Sequence, residues 1–258
     1  MSQSFLTRQL RGLLDFIFPR YCAVCGNVLS ASEHQLCIGC FIDIPRTGYH
    51  NATHSVLETL YWGKLPIEKS TAFMFYKEGY KEILLNIKYR NRYSTAEYFG
   101  QLMAREINEE SDFFNGIDAI IPVPLHWKRF LKRGYNQSLY IAKGVKAVTG
   151  IPIYNDVVKR RASNPSQTRM TYAERSLNVA NIFQCTNPEK VRGKHILILD
   201  DVITSGATSL SCAEAILKGL GDYDEKGVNI SGSVKISILA LATATKYHEV
   251  VLDTPPQA

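Results

Sequence analysis

Two adjacent carboxylates, Asp200 and Asp201, stand at the end of the apolar run Ile196 to Leu199. A loop of small residues follows, Thr204-Ser205-Gly206-Ala207-Thr208. Four β-favouring residues in a row read as a buried parallel strand. After the loop, Leu210, Ala213, Ile216, Leu217 and Leu220 recur at helical spacing. A strand tip leading into a helix N-terminus suits phosphate, because unpaired backbone N–H groups and the positive end of the helix dipole face the anion. Gly206 and Ala207 let the backbone come close, and the hydroxyls of Thr204, Ser205 and Thr208 can donate. The acids cannot serve that anion. Side by side they repel unless hydroxyl donors or a hard cation satisfy them, so they fit a sugar diol with Mg²⁺ close by.

A second constellation is made of sulfur. Cys22-x-x-Cys25 and Cys37-x-x-Cys40 are separated by eleven residues, and paired knuckles of this kind aim four thiolates at one tetrahedral Zn²⁺. Two disulfides are the rival, and a redox-active CxxC a weaker one. The absence of a secretory signal argues for a reducing cytosol, where such pairs bind metal. With four sulfurs the site has no position left for water, so the zinc is expected to be structural, and His34, His50 and His54 are expected at the surface. Cys185 and Cys212 read as small buried hydrophobes.

The elements that must position these groups follow from periodicity. Residues 71–76 read as a strand and residues 80–89 as a helix, with Ile83, Leu84 and Ile87 inward and Lys81 and Lys88 outward. A second helix spans about 94–110, with Tyr98, Leu102 and Ile107 on its apolar side. Residues 119–123 form another apolar strand, running into Pro122-Val-Pro124, the basic segment from His126 to Arg133, Gly134-Tyr-Asn-Gln137 and a helix over 138–148. Residues 235–242 supply a last strand. Strands alternating with helices imply an α/β fold with a parallel sheet. Residues 45–70 read as a connection, dividing the chain into a module over 1–60 and a larger domain over 61–258.

With 258 residues, 45% hydrophobic and 21% charged, the chain is globular and can bury one good core beside a small accessory module. No apolar run approaches the roughly 20 residues of a membrane span. Leu6, Leu10, Leu13, Leu14 and Ile17, ended by Pro19, predict a short amphipathic helix that packs on its own domain. The net charge of +6 is uneven: between His126 and Arg175, eleven Lys or Arg face only Asp156 and Glu174. A polyanion is expected there, a pyrophosphate or a nucleic-acid backbone. Lys128, Arg129 and Lys132, interleaved with Trp127 and Phe130, are candidate nucleic-acid contacts. So are Lys88, Arg90 and Arg92 between the first two helices, although helix-end solvation explains those three equally well.

The strand, the acid pair and the Thr/Ser-Gly loop resemble the phosphoribosyl pyrophosphate (PRPP) motif of type I phosphoribosyltransferases. That resemblance implies that Asp200 and Asp201 hold the ribose hydroxyls and that Thr204, Ser205, Gly206, Ala207 and Thr208 cradle the 5′-phosphate. It also implies that Arg133 and Gly134, with Lys132, belong to a pyrophosphate-binding loop, and that residues 163–180 form a flap. Together with the Cys₄ knuckle, PVPLH, RGYNQ and SQTRMTYAERSLNVANIF, the chain resembles the ComF (ComFC) family of competence-associated proteins. Arg160, Gln167, Arg175 and Asn178 occupy matching positions, and Ser205 stands where Thr is more usual.

The resemblance implies a type I phosphoribosyltransferase-like sheet flanked by helices, with an N-terminal zinc ribbon. It further implies a cytoplasmic, PRPP-binding role in DNA uptake, with Mg²⁺ accompanying PRPP and with single-stranded DNA, a helicase and channel proteins as partners. The alternative is an active phosphoribosyltransferase moving ribose 5-phosphate from PRPP to a nucleobase or amine. Asp200, Asp201 and Arg133 would then be its catalytic residues, but no segment that would read an acceptor is legible.

Overall fold

A computed structural model describes residues 18–52, 54–89, 93–161, 182–221 and 234–244. The expected N-terminal helix, Arg90, Arg92 and the flap with Gln167, Arg175 and Asn178 lie outside the described residues. At the centre is a parallel four-stranded sheet, in which β1 (Lys69–Tyr76), β6 (Lys235–Ala244), β5 (His195–Ile203) and β2 (Ala119–Pro122) lie side by side in that order. Ile198 pairs with Ile238 on one side and with Ile121 on the other. Both faces are covered, which is why β5 is apolar at successive positions rather than alternating. Leu197 and Leu199 pack with Phe99, Met103 and Ile141. Ile196 and Ile198 pack with Cys212, Ala213, Ile216 and Leu217 of α6 (Ala207–Leu220). Each Leu, Ile, Phe or Met side chain so removed from water stabilises the fold by about 1.5–3 kcal/mol.

On the first face lie α2 (Lys81–Tyr89), α3 (Tyr93–Glu110) and α5 (Gln137–Thr149). Ile83, Leu84 and Ile87 are buried, as their spacing predicts. In α3 the buried face is centred on Phe99, Met103 and Ile107, and Tyr98 and Leu102 sit at its half-buried margin. Two glycines let α3 and α5 touch backbone to backbone. A Cβ on Gly100 would lie 2.2 Å from the Ile141 carbonyl oxygen, and one on Gly144 would lie 2.2 Å from that of Glu97.

The cysteine module, which carries the short helix α1 (Ile38–Ile42), shares this core, since Leu29, Leu36 and Ile44 join the same cluster. Polar contacts fasten it further. Asn86 Nδ2 donates to the Ala23 carbonyl (2.8 Å), Thr95 Oγ1 to Gln35 Oε1 (2.8 Å) and Tyr80 Oη to the Cys40 carbonyl (2.9 Å). Arg46 grips Glu106 with two N–H donors at 2.5 and 2.8 Å.

The stretch read as a plain connection is structured. Residues 45–47 pair with the free edge of β1, Thr47 N–H donating to the Phe73 carbonyl (3.0 Å) and Phe75 N–H to that of Pro45 (2.8 Å). Two short 3-10 helices follow, Tyr49–Asn51 and Val56–Leu60, burying Leu57 and, just after them, Tyr61. His50 is not the surface residue expected: its side chain is 5% exposed, and Nε2 lies 2.8 Å from Glu110 Oε2. An antiparallel pair, β3 (Val158–Arg160) and β4 (Phe183–Cys185), was not legible in the sequence. Among the described residues no helix is long and apolar enough to cross a membrane.

Candidate ligand cleft and metal centre

Above the C-terminal ends of the strands lies a cleft of about 480 Å³. Asp200, Asp201, Thr204, Thr208, Arg129, Arg133, Arg160 and Lys88 contribute to its lining. β5 runs on past the apolar core to Ile203, so the acids belong to the strand itself and are held as rigidly as the sheet. Asp200 is 8% exposed. Its Oδ1 accepts from the Asp201 N–H (2.8 Å) and from Ser138 Oγ (3.3 Å). Burial, reinforced by the charge of Asp201, raises its carboxyl to about 7, while the Asp201 N–H, Lys88 and Ser138 pull the other way. Asp201 is paired with Lys88, whose Nζ lies 2.9 Å from Oδ2. Lys88, expected to face outward, thus bends into the cleft from the end of α2.

The opposite wall is built by the Arg-Gly-Tyr-Asn-Gln motif. The short helix α4 (Trp127–Arg133) is started by His126, whose Nδ1 accepts from the Lys128 N–H. It is stopped by Gly134, at φ 77°, whose N–H reaches the Phe130 carbonyl (2.7 Å). Tyr135 is buried, with its hydroxyl donating to the Ile87 carbonyl. Asn136 donates to the Val123 carbonyl (3.0 Å) and caps α5 by accepting from the Ser138 N–H (3.2 Å). Gln137 is 1% exposed, lines the cleft, and its Nε2 has no partner among the described residues.

Four cations against two acids leave the cleft positive. Arg160, at the end of β3, stacks its guanidinium over the Phe183 ring (5.4 Å). Burial lowers its pKa and the charge of Arg129 adds to that, while Asp200 opposes them. Charges crowded in this way are relieved by a bound polyanion.

The loop from Thr204 to Thr208 keeps its hydroxyl residues exposed around a buried Gly206. Gly206 caps α6 at φ 71°, a left-handed conformation that side chains resist. It also rests against Tyr61: a Cβ here would meet that ring at 3.1 Å. Tyr61 and Ser209 signal this role in no motif. Aromatic residues in a nominal linker, Tyr61 among them, are the hint the sequence holds.

The four knuckle cysteines place their Sγ atoms within 4.8 Å of one another, a cluster able to hold a metal such as zinc. Cys25 and Cys37 Sγ are 3.7 Å apart, and the Cys37 N–H approaches Cys22 Sγ at 3.4 Å. Burial pushes the Cys22 thiol up, but backbone N–H groups of Cys37, Cys25 and Val24 outweigh it and bring it down to about 7. An all-thiolate donor set with backbone N–H groups on sulfur fits structural Zn²⁺. His34 and His54 stay at the surface, Cys212 is buried and Cys185 partly so.

Of the sequence-derived candidates, the structure brings Asp200, Asp201, Thr204, Thr208, Arg133, Arg129, Arg160 and Lys88 to one cleft. Ser205, Gly206, Ala207 and Gly134 adjoin it through their loops. Lys128 and Lys132 are carried on the exposed side of α4.

No family model matches the chain. It is 26% identical over 212 residues to "Competence protein F" of Haemophilus influenzae, covering 78% of this chain and 91% of that protein. It is 24% identical over 199 residues to the "DNA utilization protein YhgH" of Escherichia coli, covering 76% and 84%. To the "Competence protein ComFC" of Bacillus subtilis it is 24% identical over 216 residues, covering 81% and 76%. Solved structures with a looser likeness include an allosteric regulatory enzyme of purine biosynthesis (TM-score 0.36, 20% identity, 60% of this chain and 29% of that one). An adenine phosphoribosyltransferase is another (TM-score 0.33, 15% identity, 66% and 78%). Matched over three quarters or more of its length by each of these three sequences, the chain is a homologue of the proteins named Competence protein F, YhgH and ComFC.

Proposed function

We propose that this protein binds PRPP in the cleft above β5 and acts in the cytoplasm in DNA uptake and utilisation, handling single-stranded DNA. One observation carries the reading: an acid pair on a strand tip, a hydroxyl-rich loop opening a helix, and four cations line the same 480 Å³ cleft. Each part has a matching piece of ligand. Asp200 and Asp201 suit the ribose diol, the loop and the N-terminus of α6 suit the 5′-phosphate, and Arg129, Arg133 and Arg160 suit the pyrophosphate. The carboxylates offer oxygen donors fit for Mg²⁺, which when bound would neutralise pyrophosphate charge. Support for the DNA role comes from the names of the homologues and from α4, where Trp127, Phe130 and Leu131 are 51%, 49% and 73% exposed among basic residues.

Calorimetric titration of PRPP with Mg²⁺ tests the reading. Binding that disappears in an Asp200→Asn, Asp201→Asn double variant supports it, and absence of binding to folded, metal-loaded protein overturns it.

A second reading, transfer of ribose 5-phosphate to a nucleobase or amine, is favoured by the guanidinium cluster, which suits a departing pyrophosphate. The acid pair would hold the ribose in line while the arginines stabilised the leaving group. Pyrophosphate release dependent on an added acceptor, and lost in Arg133→Ala, would establish it.

A further inference from the structure

Lys88 links the acid wall of the cleft to the cationic one. It lies in the last turn of α2, and its Nζ is 2.9 Å from Asp201 Oδ2, with the two side chains only 23% and 18% exposed. Its backbone is held on the other side. The Tyr135 hydroxyl donates to the carbonyl of Ile87, and Tyr135 follows directly on Arg133 and Gly134. The residue before Lys88 is therefore tied to the motif that carries the cationic wall, while the ammonium touches the acid pair.

This ammonium competes with the ligand proposed for the cleft. A ribose diol donates its hydroxyl protons to carboxylate oxygens, and Oδ2 of Asp201 is already engaged by a charged donor. A partly buried ion pair gives way only where the released charge finds a new partner. The ligand carries one. Its pyrophosphate is drawn to Arg129, Arg133 and Arg160, which line the same cleft as Lys88. A lysine has a compact charge on a flexible stem, so the ammonium can turn from Asp201 to a phosphate oxygen while α2 and its backbone stay in place.

We infer that Lys88 is a counter-ion exchanged by the ligand. In the free cleft it neutralises Asp201, and in the occupied cleft it releases Asp201 to the ribose hydroxyls and bonds the pyrophosphate. The inference rests on the PRPP reading of the cleft and gives Lys88 a role other than the nucleic-acid contact expected of it. Its consequence is selectivity. Pyrophosphate draws Lys88 away from Asp201, so the ribose half of the ligand binds better once the pyrophosphate half is in place. A ribose phosphate without pyrophosphate must break the ion pair unaided, and Lys88 thereby discriminates against it.

The test is calorimetric titration of the folded, metal-loaded, full-length protein with pyrophosphate and, separately, with ribose 5-phosphate. Both are run without divalent metal, so that none competes with Lys88 for Asp201. In Lys88→Met, pyrophosphate binds about tenfold more weakly, because a charge-assisted hydrogen bond is lost. Ribose 5-phosphate instead binds about threefold or more tightly, because no ion pair has to break first. Lys88→Arg keeps the charge and behaves like wild type with both ligands. A merely structural lysine would weaken both together. Ribose 5-phosphate binding no tighter in Lys88→Met than in the wild type, or pyrophosphate binding no weaker, overturns the inference and leaves the PRPP reading in place. Wild-type protein that binds neither ligand, nor PRPP with Mg²⁺, overturns the two together. Should Lys88→Met misfold, the NMR signal of the Lys88 ammonium in the wild type, identified by its absence from Lys88→Arg, decides the matter. A signal that shifts at saturating pyrophosphate supports the exchange, and one that stays in place overturns it.

Discussion

The hydroxyl of Tyr61 lies 2.7 Å from Ser209 Oγ, and Ser209 in turn donates to the Gly206 carbonyl at 2.9 Å. Residues 148 positions apart thereby fix the loop that opens α6, because Ser209, committed to Gly206, accepts the tyrosine proton. Tyr61→Phe removes this hydrogen bond while keeping the ring against Gly206. It should lower stability by about 1 kcal/mol in urea unfolding and weaken PRPP binding several-fold. An unchanged affinity would show that the loop holds its shape without the tyrosine.

Gly206→Ala should be more severe. The new methyl group meets both a positive φ and the Tyr61 ring at 3.1 Å, so relief requires the loop itself to move. A loss of about 1–3 kcal/mol in stability is expected. PRPP binding should fall below detection in the same calorimetric titration, whereas Ala207→Gly, without that clash, should retain it.

The acid pair makes a prediction about pH. Burial and Asp201 raise Asp200 to about 7, so the unfolded chain gives up that proton at a lower pH than the native one. The stability this group contributes is complete below the ordinary carboxylate range and is lost as pH rises through about 7. Asp200→Asn should therefore raise Tm at about pH 8, and the two proteins should converge near pH 4. Equal Tm differences at both pH values would place the Asp200 pKa in the ordinary range.

Much of this site was legible because its chemistry is local in sequence. The acids, the hydroxyl loop and the helix are consecutive residues, and the CxxC pairs need only their own turns. The apolar periods of α2 and β5 announced the core for the same reason, since alternation and 3.6-residue repeats are imposed by burial on each element separately. What stayed hidden depends on contacts between distant segments. Nothing around Ser138 signals that it will donate to Asp200, nor around His50 that it will meet Glu110. Lys88 was read outward from its helix phase, yet a lysine at a helix end is long enough to turn toward a carboxylate that only the tertiary fold brings near.

Removal of metal should propagate beyond the knuckles. Leu29, Leu36 and Ile44 share a core with Phe99 and Met103, so loosening the cysteine module exposes the apolar face of α3. Chelation under mildly denaturing conditions should lower Tm by several degrees or more in a single transition, with about one zinc released per chain by colorimetric assay. Two separate transitions would show instead that the module melts alone.

Handling of single-stranded DNA should depend on α4 in two separable ways. Trp127 and Phe130 offer exposed ring faces to bases, with the Lys128 ammonium 5.6 Å from the Trp127 ring centre. Lys128 and Lys132 offer charge to phosphates without lining the cleft above β5. Base stacking is worth about 1–3 kcal/mol per ring and is insensitive to salt, whereas phosphate contacts release counterions and set the salt slope. Trp127→Ala should therefore weaken binding of an oligonucleotide about tenfold or more at every salt concentration, leaving the slope of log K against log salt unchanged. Lys128→Ala with Lys132→Ala should instead flatten that slope by about 1.4, near 0.7 per lost contact on a single strand. Fluorescence anisotropy at four or five salt concentrations separates the two. If neither variant changes binding, the strand runs elsewhere on the protein, and the exposed rings of α4 serve another partner.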